Sequence, residues 1–563
     1  MSAADEAERP AGPITVYRAR RVHTMEPGWP SGDAVAVRDG RIIEVGAFAD
    51  MGPWLDRHEH HVDDRFADAV LLPGLIDPHV HPGMMAFLLA AEWVTGEPWD
   101  LPGRTPRRAH SKDEYLAHVR ELHESMPEGE ALVVFGWLAQ FHGEIVRADL
   151  DAISTERRIL LWQRSFHEIR ANTPGLAWLD AEAGAEWDPH IDLETGRMFE
   201  SGMVWALQHV GPWALEPTRF EANLALVGEL TRRAGVTTLA DAGVGVIDID
   251  AELAAYDRVL DAPGIGFRTV LLANIGRVKT GWKLPTDELI ARLEQLAADH
   301  PFGTEVDDSH LSWRKASKHF ADGAFIAQLM QVGAPGFIDG HQGAWLATPE
   351  QLMRQVRRYW TAGFDVHIHV NGDDGVDACL DVVATLLEEH PRPDHRTTLH
   401  HFGVSTAAQV RRLTELGVQV SANGYYLRQF GDAFADQWLG VERASLMTRV
   451  GSVKAGGSTV SAHSDLPMGP LLPMQAAANL ATRRTASDRV MGPAERLSPA
   501  DALATVTIDA ARQLRLDHLI GSLASGKCAD MVALGADPFE TDPFEWDDID
   551  VVGTVFRGEV VAR

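Results

Sequence analysis

The sequence predicts an α/β protein: a TIM-like (β/α)8 barrel, with a small β-sandwich formed by both termini and an α/β insertion after the first barrel strand. Three observations carry this. Eight short apolar segments alternate with amphipathic helical stretches through the middle of the chain. Both ends read as β-hairpins instead. One interval in the alternation is far too long for a single loop and helix.

The N-terminal segment alternates from Ile14 through Val16 and Tyr17, and again over 34–37. Asp39-Gly40 then turns the chain back into 41–45, and Asp-Gly between apolar alternations is a strong hairpin signal. The C-terminal end mirrors it, with a strand over 530–534 and two short strands in 551–561 joined near Arg557-Gly558. Residues 1–70 and 516–563 are therefore assigned to the two parts of one sandwich. Between them the barrel strands are expected at 70–75, 237–240, 267–272, 318–320, 365–370, 397–401, 419–422 and 458–462. Helices over 348–362, 375–389 and 407–416 separate some of them. About 160 residues lie between the first two strands, which no ordinary βα connection explains. The assignment is 71–91 for the first barrel strand, 92–216 for the insertion and 217–515 for the rest of the barrel.

Composition narrows the function. The chain has 563 residues, 45% hydrophobic and 23% charged, which suffices for a large core. Its formal net charge of −30 should repel phosphate backbones and anionic lipid heads, so nucleic acid and membrane surfaces are not expected partners. Two cysteines, Cys379 and Cys528, can build neither a disulfide framework nor a thiolate metal cluster, and they fit a reducing cytoplasm. Residues 1–13 are acidic and Ala-rich, without the basic and apolar regions of a signal peptide. No apolar run reaches the length of a membrane span. No P-loop occurs, and Gly243-Val244-Gly245 lacks the third glycine of a dinucleotide fingerprint.

The chemistry gathers at strand ends. In Leu72-Pro73-Gly74-Leu75-Ile76-Asp77-Pro78-His79-Val80-His81 an apolar strand ends in His-x-His. Residues two apart on a strand share a face, so both imidazoles point the same way at the rim where barrel enzymes place their sites. Two neutral imidazoles so placed make half of a zinc site. Lys318, His369, His401 and Asp465 follow in order, each at the end of an expected strand. Taken singly, each has a structural explanation: a solvated lysine, a hydrogen-bonded histidine, an aspartate capping a helix. Together they place several imidazoles and one carboxylate at one barrel mouth.

In this ordered set the chain resembles the amidohydrolase superfamily, and within it the YtcJ-like branch (amidohydrolase family 3) related to N-substituted formamide deformylases. The resemblance runs from Asp39-Gly40-Arg41-Ile42 through Pro73 to His81, Gly235-Val236-Thr237-Thr238, Lys318 to Gly323, His369 to Asp373 and Ser464-Asp465. It ends in Gly521-Ser522-Leu523 and 526–530. It implies one or two divalent ions, zinc first among them, with His79 and His81 on the more buried ion and His369 and His401 on the second. It implies that Lys318, carboxylated, bridges the two ions. Asp465 would contact a metal and serve as general base, then general acid, in hydrolysis of a C–N bond. The same metal barrel also runs isomerase and decarboxylase chemistry, and a non-catalytic binding protein on this fold is a further alternative. Substrate contacts are expected from Trp137, His167, Glu200 and Asp322. Where relatives read Asp-Gly-His, this chain has Ser165-Phe166-His167, which implies a different pocket chemistry. His367, two residues before His369 on the same strand face, competes with it as a metal ligand; His400 is read as pointing away from His401; and His463 is left between a substrate contact and packing. A small-molecule substrate is expected, an apolar or aromatic one suiting the tryptophans near the insertion, and the resemblance implies a homo-oligomer.

Overall fold

The computed structural model describes residues 12–29, 31–245, 248–301 and 309–561. Most of the N-terminal stretch read as lacking an export signal lies outside them. Among the described residues no helix is long and apolar enough to cross a membrane.

Eight parallel strands form one sheet: Leu75–Val80, Val236–Val244, Arg268–Asn274, Leu311–Phe320, Asp365–Val370, Thr398–His401, Gln419–Asn423 and Val460–His463. Each pairs with the next in chain order. The first and eighth strands meet at a seam. There the Asp465 amide donates to the His79 carbonyl at 3.1 Å and the His81 amide to the Leu466 carbonyl at 2.9 Å. Lower down, the Thr505 and Val506 carbonyls accept from the Ala462 and Ile76 amides at 3.0 and 2.9 Å. The α/β barrel read from the sequence is thus the fold. Its strands are buried on both faces, as a sheet covered by helices outside and filled inside requires; all nine residues of Val236–Val244 are buried.

The first strand sits further along than expected. Residues 70–73 belong to His60–Pro73, which pairs antiparallel with Met531–Leu534 in the terminal sheet. The barrel strand starts at Leu75, and Gly74 is the crossing point. A Cβ there would stand 2.2 Å from the Thr237 hydroxyl, so only glycine lets the chain pass so close to the second strand. Both sheets bury this run completely, so apolar pattern alone could not show where one ends. The fourth strand is longer than expected, ten residues rather than three, because the half-exposed Arg314 and Lys315 interrupt its apolar run.

Strands from both termini form one seven-stranded sheet, in the order Glu559–Val561, Val551–Phe556, Met531–Leu534, His60–Pro73, Ile14–His23, Ser31–Arg38, Arg41–Gly46. One apolar layer joins Tyr17, Val35, Val37 and Ile42 to Met531 and Val555; alternate residues Ile14, Val16, Ala34 and Ala36 pack on helix Phe48–Leu55. Asp39 and Gly40, at φ 50° and 74°, make the mirror-image turn that suits a two-residue hairpin. The buried Arg268–Asp530 ion pair ties this sheet to the third barrel strand.

A second seven-stranded sheet, with strands drawn from Glu92–Thr95 to Arg197–Phe199, fills the long interval. Helices Ser201–Ala214 and Pro217–Arg233 return the chain to the barrel. The expected barrel helices are present as Pro349–Thr361, Asp373–Glu389 and Ala407–Glu415; Thr348 with Gln351, and Thr406 with Gln409, form capping boxes.

Candidate functional site

The ends of the barrel strands converge on a cluster of imidazoles. His79 and His81 close the first strand, and their Nε2 atoms stand 3.3 Å apart. Asp465 follows the eighth strand. Its Oδ1 lies 3.4 Å from His79 Nε2 and 3.3 Å from His81 Nε2. The three donor atoms thus form a nearly equilateral triangle. Ligands held tetrahedrally at about 2.0–2.1 Å from one ion are separated by about 3.3–3.4 Å, which is the same spacing. Asp465 keeps its side chain there from a left-handed backbone, φ 59°, a conformation aspartate tolerates better than most residues. It does not cap a helix. Asp77, buried one layer below, accepts from the His79 and Ser464 amides and pins both ends of the seam. Burial pushes its pKa up to about 7.

A second group of ring nitrogens lies beside the first. His79, His401 and His463 each offer one nitrogen within 4.8 Å of the others. His463 Nε2 is 3.2 Å from His401 Nδ1, and His463 Nδ1 is held by the Ser421 hydroxyl at 2.9 Å. His369 stands further out. Its ring packs on that of His401 with centroids 4.4 Å apart, and its Nε2 accepts from the Asn371 amide at 3.1 Å. It belongs to neither donor group among the described residues, whereas His463 does.

His400 also faces inward. Its Nδ1 meets His79 Nδ1 at 2.8 Å, and its Nε2 meets His367 Nδ1 at 2.8 Å. Strict alternation along a strand would send His400 and His401 to opposite faces. A positive φ of 74° at His401 breaks the alternation, and both rings reach the cluster. The three-ring row His79–His400–His367 fixes the orientation of His79 in the way that outer partners orient metal-binding imidazoles.

Electrostatics suit a cation. Burial holds His79, His369, His400, His401 and His463 well below the usual histidine pKa, so these rings are neutral and keep lone pairs. His81 differs. Burial works against its charge, but Asp241 and Asp465 outweigh it and push its pKa up to about 9. Two carboxylates that draw a proton to this point would also draw a metal ion. Asp241, 3.5 Å from His81 Nδ1 and bonded to the Tyr256 hydroxyl at 2.7 Å, is a member of the site that the sequence reading missed. Its only signal was a carboxylate at the end of the second strand. Lys318 is 1% exposed, and its Nζ has no hydrogen-bond partner among the described residues. Burial brings its pKa down to about 7.

The insertion supplies the facing wall. Arg164, fully buried, forms an ion pair with Glu97 and donates to the Met468 carbonyl at 2.9 Å, three residues past Asp465. Beside it, His167 Nδ1 lies 3.2 Å from both oxygens of Glu200. Glu200 sits at φ 47°, ψ −110°, and its amide donates to the His167 carbonyl at 3.0 Å. Strain of this kind persists where surrounding structure enforces it, commonly at functional sites. The Asp465 charge reaches His167, and the His167 charge reaches His369, so the pair borders the cluster.

Two expected substrate contacts lie elsewhere. Trp137 is packed in the core of the insertion with Tyr115, Val119 and Leu161, its Nε1 donating to the Gly143 carbonyl at 3.1 Å. Gly136, at φ 114°, interrupts the strand just before it. Asp322 has no exposed surface. Its oxygens accept from the amides of Gln331, Asn371 and Gly372 at 2.8–2.9 Å, so it ties loops together behind the site.

Neutral buried histidines make stability pH-dependent. His319 and His367 are both depressed to about 3, chiefly by burial. Unfolded, each takes up a proton near pH 6.5 that the folded protein refuses. Stability is therefore complete above about 6.5 and falls as pH drops towards 3. At pH 5.5 the two together should cost on the order of 2–3 kcal/mol. The thermal midpoint of metal-stripped protein should fall by several degrees between pH 7.5 and 5.5. A midpoint that stays level would mean that these rings are already charged.

The model of the amidohydrolase family matches residues 67–562. The chain is 26% identical to Protein LONG AFTER FAR-RED 3 of Arabidopsis thaliana, over 92% of this chain and 86% of that one. It is 24% identical to N-substituted formamide deformylase of Arthrobacter pascens, over 95% and 96%. An uncharacterized metal-dependent hydrolase from Pyrococcus horikoshii OT3 superposes with a TM-score of 0.71 at 19% identity, over 94% of this chain and 99% of that one, a likeness of fold.

Proposed function

We propose, for a chain that belongs to the amidohydrolase family, that it hydrolyses a C–N bond of a small amide, formamide, carbamate or cyclic amide at this cluster. The observation that carries the reading is the triangle of His79 Nε2, His81 Nε2 and Asp465 Oδ1, whose 3.3–3.4 Å edges match the ligand spacing around one tetrahedral ion. The donor set is imidazole and carboxylate without thiolate, which suits zinc and related divalent ions.

In this reading His79, His81 and Asp465 hold the first ion, and His401 with His463 offers nitrogens to a second, while His369, engaged by Asn371, would have to release that contact to join them. Lys318, an amine with a pKa near neutrality, can add carbon dioxide to its free Nζ, releasing a proton and giving a carbamate that would bridge two ions. A bound divalent ion supplies a water of lowered pKa and polarises the scissile carbonyl. The remaining work falls to the chain. The Asp465 carboxylate accepts the proton from the attacking water and returns it to the leaving nitrogen. His79 is held in register by His400 and His367, and His81 by Asp241. Arg164 keeps the insertion against the barrel rim, and His167 with Glu200 faces the substrate.

Elemental analysis of purified protein, with product analysis on formamides, N-acyl amines and carbamates, tests the reading. A stoichiometric divalent metal is expected, with release of an amine and its carboxylic acid from an amide or formamide, and of an amine, carbon dioxide and an alcohol from a carbamate. Stable absence of metal, or a product isomeric with the substrate, would overturn it.

A further inference from the structure

A row of hydrogen bonds runs down the inside of the barrel, from the imidazole cluster to a helix beneath it. Helix Ile508–Gln513 joins Ala510 and Ala511 in one apolar cluster with Ala240, Val270, Leu272 and Ala316. Ala316 lies two residues before Lys318, on the same strand face and further from the rim. Gln513 ends this helix. Above it stand Ser421 and Ser461, paired in register on the seventh and eighth strands. Their neighbours Val420, Ala422, Val460 and Ala462 pack in the main core from the opposite strand face, which leaves the hydroxyls on the face of His463. Ser461 bonds Gln513 Oε1 on one side and the Ser421 hydroxyl, at 3.1 Å, on the other. Ser421 bonds His463 Nδ1 at 2.9 Å. All four side chains are buried, and Gln513 Nε2 has no hydrogen-bond partner among the described residues.

Each hydroxyl carries one proton, so the three bonds can be made together only if they run in one direction. Two polarities satisfy this. In the first, His463 Nδ1–H donates to Ser421, Ser421 to Ser461, and Ser461 to the Gln513 carbonyl oxygen; His463 Nε2 then keeps its lone pair. In the second, the Gln513 amide nitrogen donates to Ser461 and the order reverses; His463 Nε2 then carries the proton and cannot bind a cation. The structure has the first, with Oε1 turned to Ser461. His463 Nε2 stands 3.2 Å from His401 Nδ1, the nitrogen with which it would share the second ion. The two polarities differ by a rotation of one amide and by which nitrogen of His463 bears hydrogen, and no charge changes. A row of buried hydrogen bonds transmits such a choice because no water is present to break it.

We propose that Gln513 is a positioning residue for the second ion: through Ser461 and Ser421 it sets the His463 tautomer that leaves the Nε2 lone pair to a divalent cation. This rests on the metal-dependent reading above.

The test has two parts. Zinc affinity is measured by competition with a chelator in the native protein, Gln513→Met, Ser461→Ala and the double variant. Each single substitution should weaken the second ion by about 10-fold or more and leave the first unchanged, the range for loss of an outer partner. The double variant should be no weaker than either single one, because Gln513 acts only through Ser461. Ser461→Thr, which restores the hydroxyl, should bind as the native protein does. Native affinity in Gln513→Met and Ser461→Ala, or losses that add in the double variant, overturns the relay. The second part uses metal-free protein with 15N-labelled histidine, the His463 signals being identified by their loss in His463→Asn. His463 should carry its hydrogen on Nδ1 in the native protein and shift towards Nε2–H in Gln513→Met and Ser461→Ala. The same tautomer in all three, or Nε2–H in the native protein, overturns the relay. Native protein that binds fewer than two ions counts against the two-ion reading, and the nitrogen spectra then decide the relay by themselves.

Discussion

Asp465→Asn is expected to lower kcat by roughly 10²- to 10⁴-fold, the range associated with loss of a positioned acid–base group, while bound metal and thermal midpoint change little. The substitution is chosen because it separates the roles of one residue. The Asp465 amide, not its side chain, bonds the His79 carbonyl at the barrel seam, so the seam survives. Asparagine tolerates the left-handed backbone at φ 59° as well as aspartate does. Its amide oxygen can still stand at the third corner of the donor triangle, but it cannot take a proton from water. Removing the carboxylate should also lower the pKa of His81, because Asp465 is one of the two groups that raise it. Single-turnover kinetics with elemental analysis would check this. Turnover within a few-fold of the native enzyme, at equal metal content, would dismiss Asp465 as the proton carrier.

The second large effect is on the metal. His79→Gln combined with His81→Gln should weaken binding of the divalent ion by at least 100-fold, since loss even of the outer partners of such ligands costs about 10–100-fold. These are two of the three corners of the triangle, and no third imidazole stands ready to replace His81 Nε2 among the described residues. Glutamine keeps most of the buried volume polar and limits collapse of the histidine cluster. Equilibrium dialysis with zinc, read by atomic emission, gives the stoichiometry directly. Native stoichiometry in the double variant would place the ion elsewhere, and the second group around His401 and His463 would then be the first place to look.

Particular residues show how far sequence reaches. The His-x-His after an apolar strand, Lys318, and Asp465 after Ser464 were visible because strand periodicity and chain order alone place them at one rim. His400 was misjudged, because alternation holds only while φ stays negative, and no pattern announced the positive φ at His401. The standing of His463 relative to His369 was also hidden. Both lie at strand ends, and the difference is that Asn371 engages one while Ser421 turns the other towards His401. Trp137 and Asp322 sat in recognisable segments but face a core and a ring of backbone amides, since one strand presents residues to two sides. Asp241 and Arg164 had only local signals, a strand-end acid and one arginine among many.

Taken alone, the sequence determined the class of fold and the inventory of chemistry: a β/α alternation of eight units, strand-rich ends, one long insertion, and imidazoles with a carboxylate in rim order. Those follow from periodicity and spacing, which are properties of the chain itself. Only the tertiary structure decided which histidines share a centre, which carboxylates hold His81, and which arginine ties the insertion to the loop after Asp465. Those are distances between residues up to nearly 400 positions apart. They depend on how the seam closes and where the insertion docks, through forces that act over a few ångströms and leave no period in the sequence.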